Sequence, residues 1–215
     1  MHLKLTHRRY LDGSSGDHAL AVKEPGEGTY ESPAVRRIAE RLAKTESPSV
    51  LDLGVLSGET VTALAALGAR VYVHDVMTPL RERLLRGVPE EGAEVPDLLA
   101  DFKLLPESMD VVLAWELLDF LPLPEARRTV TRLGRWLKPK GLLLAVFHAV
   151  SADHLHRFRL QEGNRVQMQA AAPLPEPCSA RTNNEALSLF GGFPLLHSAL
   201  MRAQVREVLG QRNPA

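Results

Sequence analysis

The chain has 215 residues, 45% of them hydrophobic and 24% charged. That length suits one decorated domain or two small ones, with a core large enough to fold without disulfides or a metal. Lysine plus arginine and aspartate plus glutamate both number 26, so the formal net charge is zero, which argues against nucleic acid as the main partner.

Met1–Tyr10 is polar and basic and has no apolar stretch of signal-peptide length. Gly13–Gly16 and Pro25–Gly28 carry turn chemistry, so residues 1–31 read as an irregular arm or lid, with a plain tail as the alternative. Ser32-Pro33 opens a helix, serine as cap and proline in the first turn, with Val35, Ile38, Ala39 and Leu42 on one face. From here strands and helices alternate. Val50–Gly54 is a short apolar strand and Glu59–Leu67 a helix. Arg70–Asp75 is a second strand, and Thr78-Pro79 starts a helix through Arg86. Asp97–Asp101 reads as a third strand, Met109–Trp115 as a fourth, Pro124–Leu137 as a helix and Leu142–Phe147 as a fifth strand. That apolar run is too short to span a bilayer. These features predict a cytoplasmic protein that does not engage a membrane.

Alternating strands and helices predict an α/β fold, a mostly parallel sheet with helices on both faces. Two further strands around Glu162-Gly163-Asn164 predict a small hairpin insertion at about 154–170. Pro173–Pro177 reads as a loop, Thr182–Glu185 as a helix cap, and Leu195–Arg202 and Val205–Arg212 as closing strands. Asp153, His154 and His156 carry metal-ligating groups, but a solvated turn accounts for them and no metal centre is expected. The lone Cys178 has no zinc-ligand spacing around it.

Ligands of such sheets bind beyond the carboxyl ends of the strands. The strongest local signal lies there: Asp52-Leu53-Gly54-Val55-Leu56-Ser57-Gly58, a strand feeding a glycine-bearing turn and then a helix. Asp75, one strand later, is spaced to meet ribose hydroxyls, or else caps the helix that follows. A dinucleotide fingerprint fails because Leu56 takes the place of its middle glycine. A phosphate loop fails for want of a lysine after Gly58, and no serine-hydrolase elbow is present.

These residues resemble the class I S-adenosylmethionine-dependent methyltransferases, over about residues 32–212. The resemblance implies a Rossmann-like, seven-stranded sheet with its last strand antiparallel. Asp52, Gly54, Val55, Ser57 and Gly58 look like the loop that holds the methionine end of the cofactor. Asp75 matches the ribose-binding acid and Val76 the residue packing on adenine. Asp101 and Phe102 look like the third-strand adenine contact, and Trp115 would wall the cofactor. Glu116 and Asp119, just past the fourth strand, would orient or deprotonate an acceptor; the plainer alternative is that they cap and solvate a loop. The first motif is most similar to that of a bacterial subgroup reading D-L-G-x-x-S-G.

The implied activity is methyl transfer from S-adenosylmethionine, with S-adenosylhomocysteine as product, to an unidentified small-molecule acceptor. A protein partner and the oligomeric state stay open. The prolyl-prolyl-aromatic motif of amino-group methylases of DNA and protein is absent. Leu56, standing where the pattern has a glycine, either turns away or fills the site. The alternative is therefore a catalytically inactive, methyltransferase-like binding or scaffold protein. A nicotinamide-dependent oxidoreductase is disfavoured by the same missing glycine.

Overall fold

The computed structural model describes residues 28–87, 97–100 and 102–214. The expected arm at 1–27 lies outside them, but its continuation is regular: Gly28–Glu31 forms a strand, β1. Then follow α1 (Pro33–Leu42), β2 (Ser49–Asp52), α2 (Gly58–Ala66), β3 (Arg70–Val73) and α3 (Met77–Arg86). Next come β4 (Met109–Trp115), a 3₁₀ turn (Leu117–Asp119), α4 (Leu123–Trp136) and β5 (Leu137–His148). The chain closes with β6 (Ala152–Gln161), β7 (Arg165–Cys178), α5 (Asn183–Ser188), β8 (Leu195–Leu200) and β9 (Val205–Gln211).

The main sheet has the order β3-β2-β4-β5-β9-β8. β3, β2, β4 and β5 are parallel, and β9 runs antiparallel to both its neighbours, so it alone opposes the rest. Six strands are found among the described residues where seven were expected. The missing one is Asp97–Asp101. The Asp97 carboxylate accepts the Leu99 amide at 2.9 Å and its carbonyl accepts the Ala100 amide at 3.0 Å. Those bonds close a turn with the backbone groups a strand would have offered to a neighbour. Arg132 of α4 then clamps the turn through Asp97 and the Leu99 carbonyl.

Strand side chains alternate between two cores, as a period of two requires. Val50, Val111, Leu113, Leu142, Leu144 and Val146 face α1 and α2. Leu51, Val112, Ala114, Leu143, Ala145 and Phe147 face α3, α4 and α5. Both faces of the central strands are buried, which is why they read as unbroken apolar runs.

A second sheet, β1-β7-β6, lies over the first core; Phe158, Leu160, Val166 and Met168 join it. The β6–β7 pair is longer than the expected 154–170, and Pro173–Pro177 is not a free loop. Pro173 pairs with His154, residues 174–177 bulge out, and Cys178 rejoins opposite Ala152. Pro175 and Pro177 fall inside the bulge, where their missing donors cost the ladder nothing. Thr60 of α2 holds this sheet by accepting the Leu160 amide, and the Asn164 carbonyl accepts the Ser32 amide.

Ser32 caps α1 as the sequence predicts, accepting the Val35 amide at 2.9 Å. Its hydroxyl also donates to the buried Glu207 carboxylate at 2.6 Å, tying α1 to β9. Ser32→Ala removes both bonds, and urea denaturation should show a loss of about 2 kcal/mol.

Candidate active site

The Asp52–Gly58 turn leaves the carboxyl end of β2. Asp52 is buried, and its Oδ1 accepts the Gly54 amide at 2.9 Å and the Trp115 indole Nε1–H at 2.7 Å. Burial raises the Asp52 carboxyl above the usual range, and these two donors pull against it. Gly54 is required by crowding: a Cβ there would lie 2.7 Å from Trp115 Cδ1 and 3.2 Å from Asp52 Oδ1. Leu56 is 65% exposed and is not packed into the core. Val55 packs partly against the core, and Ser57 caps α2 through the Thr60 amide at 3.3 Å. A Cβ at Gly58 would meet nothing within 4 Å, so the backbone at the start of α2 is approachable.

Trp115 closes the turn from above. Its backbone sits in the left-handed region at φ 45°, at a register shift between β4 and β5. A bulky residue adopts that conformation only when its surroundings impose it. The indole stacks on Phe158 of β6, ring centroids 5.2 Å apart and planes 8° from parallel.

At the end of β3, the Asp75 carboxylate caps α3. Oδ1 accepts the Met77 and Thr78 amides at 2.9 and 3.0 Å, and Oδ2 accepts the Thr78 hydroxyl at 2.7 Å. A carboxylate offers about four lone-pair sites, so one remains on Oδ2. Val76 is fully buried in the core and offers no surface to a ligand. Phe102 is partly buried and stacks on His74, centroids 4.2 Å apart. Asp101 lies outside the described residues.

Glu116 and Asp119 take neither of the positions expected for them. They do not solvate a loop, since both are buried, and neither reaches an open surface. Glu116 Oε2 receives His148 Nε2 at 2.8 Å and His156 Nδ1 at 3.1 Å, and Oε1 accepts the His156 amide at 2.5 Å. Burial alone would raise Glu116, but the two histidines overcome it and hold the carboxyl below its usual range. Burial likewise opposes the charged form of His148, and Glu116 reverses that and raises it. Asp119 accepts the His148 amide at 2.8 Å and has Arg181 at 3.9 Å; burial dominates and pushes its carboxyl up to about 6.

His74, His148 and Phe158 are residues that the sequence reading passed over, and His156, assigned there to a solvated turn, is buried. His148 was accessible to it: it closes the apolar run of β5 at the strand end where ligands gather. His156, Phe158 and Leu160 alternate as a buried face, which was hidden among the arginines between them. Arg159, one of those arginines, pairs with Glu59 at 3.3 Å. Tyr30, expected in a lid, is buried beside α1. A cavity of about 670 Å³ lies between α1, α2 and the β6–β7 turn; Gly58 touches it, and Gly54 and Asp75 do not.

Residues 51–145, spanning β2 to β5, match the family described as Methyltransferase domain. No functionally curated protein matches the sequence. A SAM-dependent methyltransferase from Methanosarcina mazei is structurally similar, with a TM-score of 0.53 and 14% identity over 86% of this chain and 99% of that one. An S-adenosylmethionine-dependent methyltransferase from Mesorhizobium loti also gives 0.53, at 18% identity over 84% and 96%. One from Aquifex aeolicus gives 0.51, at 16% over 82% and 88%. These likenesses establish the Rossmann-like class I methyltransferase fold.

The contact of Gly54 with Trp115 is testable on its own. Gly54→Ala should destabilise the protein by roughly 1–3 kcal/mol through overpacking. In a Trp115→Ala background the same change should cost much less, and a double-mutant cycle in urea measures the difference.

Proposed function

We propose that this chain is an S-adenosylmethionine-dependent methyltransferase acting on a small-molecule acceptor, with S-adenosylhomocysteine as product. One observation carries the reading: the Asp52–Gly58 turn lies at the carboxyl end of β2, inside the segment that matches Methyltransferase domain. Zero net charge favours a small acceptor over nucleic acid.

The residues present fit the cofactor over most of the turn. Leu56 is exposed and not buried in the turn, the backbone at Gly58 is approachable, and Asp75 keeps a free lone pair beside the His74–Phe102 stack. Gly54, Ser57 and Gly58 would hold the amino-acid end, and Asp75 and Phe102 the nucleoside end. When bound, the cofactor supplies a methyl group already activated on a sulfonium. The chain's task is then to orient the acceptor and exclude water. Trp115 and Phe158 supply the apolar wall, and β6 and β7 the cover. Glu116 and Asp119 are positioning residues in this reading: sealed from solvent, they fix His148 and His156 instead of touching the acceptor.

A second reading, a methyltransferase-like binding or scaffold protein, is favoured by Trp115. Its indole lies over Gly54, where the amino-acid end of the cofactor would pass. Leu56, the first motive for that reading, is exposed and no longer supports it.

Titration calorimetry with S-adenosylmethionine and S-adenosylhomocysteine separates the two. Wild type should bind both. Asp75→Asn, which preserves the α3 cap but loses the charge, should bind at least about tenfold more weakly with little change in stability. Folded wild type that binds neither, while Trp115→Ala binds, would move the assignment to the scaffold reading.

A further inference from the structure

Glu116, His148 and His156 come from three elements: the exit of β4, the last residue of β5 and the middle of β6. One carboxylate oxygen of Glu116 meets Nε2 of one imidazole and Nδ1 of the other, and the three ligating atoms lie within 4.8 Å of one another. The residues are 0%, 4% and 6% exposed.

Glu116 depends on the two imidazoles for its countercharge. A carboxylate taken wholly out of water needs a countercharge. No lysine or arginine among the described residues pairs with Glu116; its ion-pair partners are the two imidazoles. The nearby Asp119 adds a second buried carboxylate, whose Oδ1 has no hydrogen-bond partner and has Arg181 at 3.9 Å. The backbone amides of both histidines are anchored by carboxylates, His148 by Asp119 and His156 by Glu116. Aromatic rings flank the set: Phe120 lies 6.0 Å from the His148 ring and Phe158 6.4 Å from the His156 ring. Two nitrogens and one carboxylate oxygen, converging in a dry setting with orienting bonds behind them, match the donor preference of a divalent transition metal.

We propose that Glu116, His148 and His156 form a metal site, selective for zinc or a zinc-like divalent ion, that ties β6 to the ends of β4 and β5. Nε2 of His148 and Nδ1 of His156 are the ligating nitrogens, so each neutral ring carries its proton on its other nitrogen when the metal is bound. The fourth position falls to a water. The site stands whether or not the chain transfers a methyl group. Its ligands are 32 and 40 residues from Glu116, so no spacing motif announces it.

The test uses the full chain, stripped with a chelator and titrated with Co²⁺. Wild type should develop the visible absorption of four-coordinate cobalt, saturating at one equivalent and bleached by Zn²⁺. Zinc should also raise the thermal midpoint of the stripped protein by roughly 5 °C. Glu116→Gln and His156→Gln should lose the band, whereas His154→Gln, on the exposed neighbour paired with Asp153, should keep it. A stripped, folded wild type that stays colourless and shows no zinc-dependent shift would overturn the proposal without reference to any variant. So would a band that survives in folded His156→Gln or disappears in His154→Gln.

Discussion

A tryptophan in the left-handed region costs about 1–3 kcal/mol of backbone energy, and the exit of β4 is built around one. The strain is held by Trp115's bond to Asp52 and by its stack on Phe158. Its consequence is directional. Trp115 turns toward Asp52 and Gly54, on the side of the first core, while Glu116 turns toward His148 and His156. A regular strand would alternate these side chains but would not carry the chain straight into the 3₁₀ turn that sets Asp119 under the His148 amide. The bulge at the end of β4 thus places the wall of one site and the anchor of the other in consecutive residues.

The second sheet depends on the same point. β6 reaches the main sheet through Phe158 on Trp115 and through His156 on Glu116, both at the carboxyl ends of parallel strands. Away from that edge it is held by Thr60, Ser32 and the apolar face of Leu160, Val166 and Met168. β6 also adds Ala152 and Leu155 to the other core, so the second sheet shares in burying both faces of the main sheet. It therefore couples the strand ends, where a ligand of this fold binds, to the packing of the frame.

Much of the frame was legible in the sequence because its signals are local. Ser32-Pro33 and Thr182–Glu185 cap the helices they announce, the latter as a full capping box. The apolar runs of β4 and β5 mark strands buried on both faces. Asp97–Asp101 looked like a strand because it is short and apolar; the Asp97 side chain competes for the backbone and wins. Pro173–Pro177 looked like a loop because proline breaks ladders; the ladder is interrupted after Pro173 and resumes at Cys178. Asp75 and Ser57 carry real signals at the right positions, and each puts hydrogen bonds into a helix terminus. The histidine cluster was illegible for a different reason. Its partners meet only through the crossing of β4, β5 and β6, and sequence spacing holds no record of that crossing.

Trp115 decides how the turn at Gly54 is to be understood, because its indole yields only to a ligand that replaces what it gives up. Moving the indole forfeits a hydrogen bond to a carboxylate, about 1.5–3 kcal/mol, and an aromatic stack, about 0.5–1.5 kcal/mol. It also uncovers a side chain that is 1% exposed, and the left-handed φ, a backbone angle, stays as it is when the indole swings. The closed position is therefore the resting one, and only a ligand that offsets these losses opens it. A ligand that brings a cation to the buried Asp52 carboxylate replaces the indole N–H with a stronger partner and tips the balance toward the open form. A neutral ligand has no such lever, and for it the closed indole is a wall. The chemistry of Asp52 thus ties the position of the indole to the charge that a guest presents to the turn.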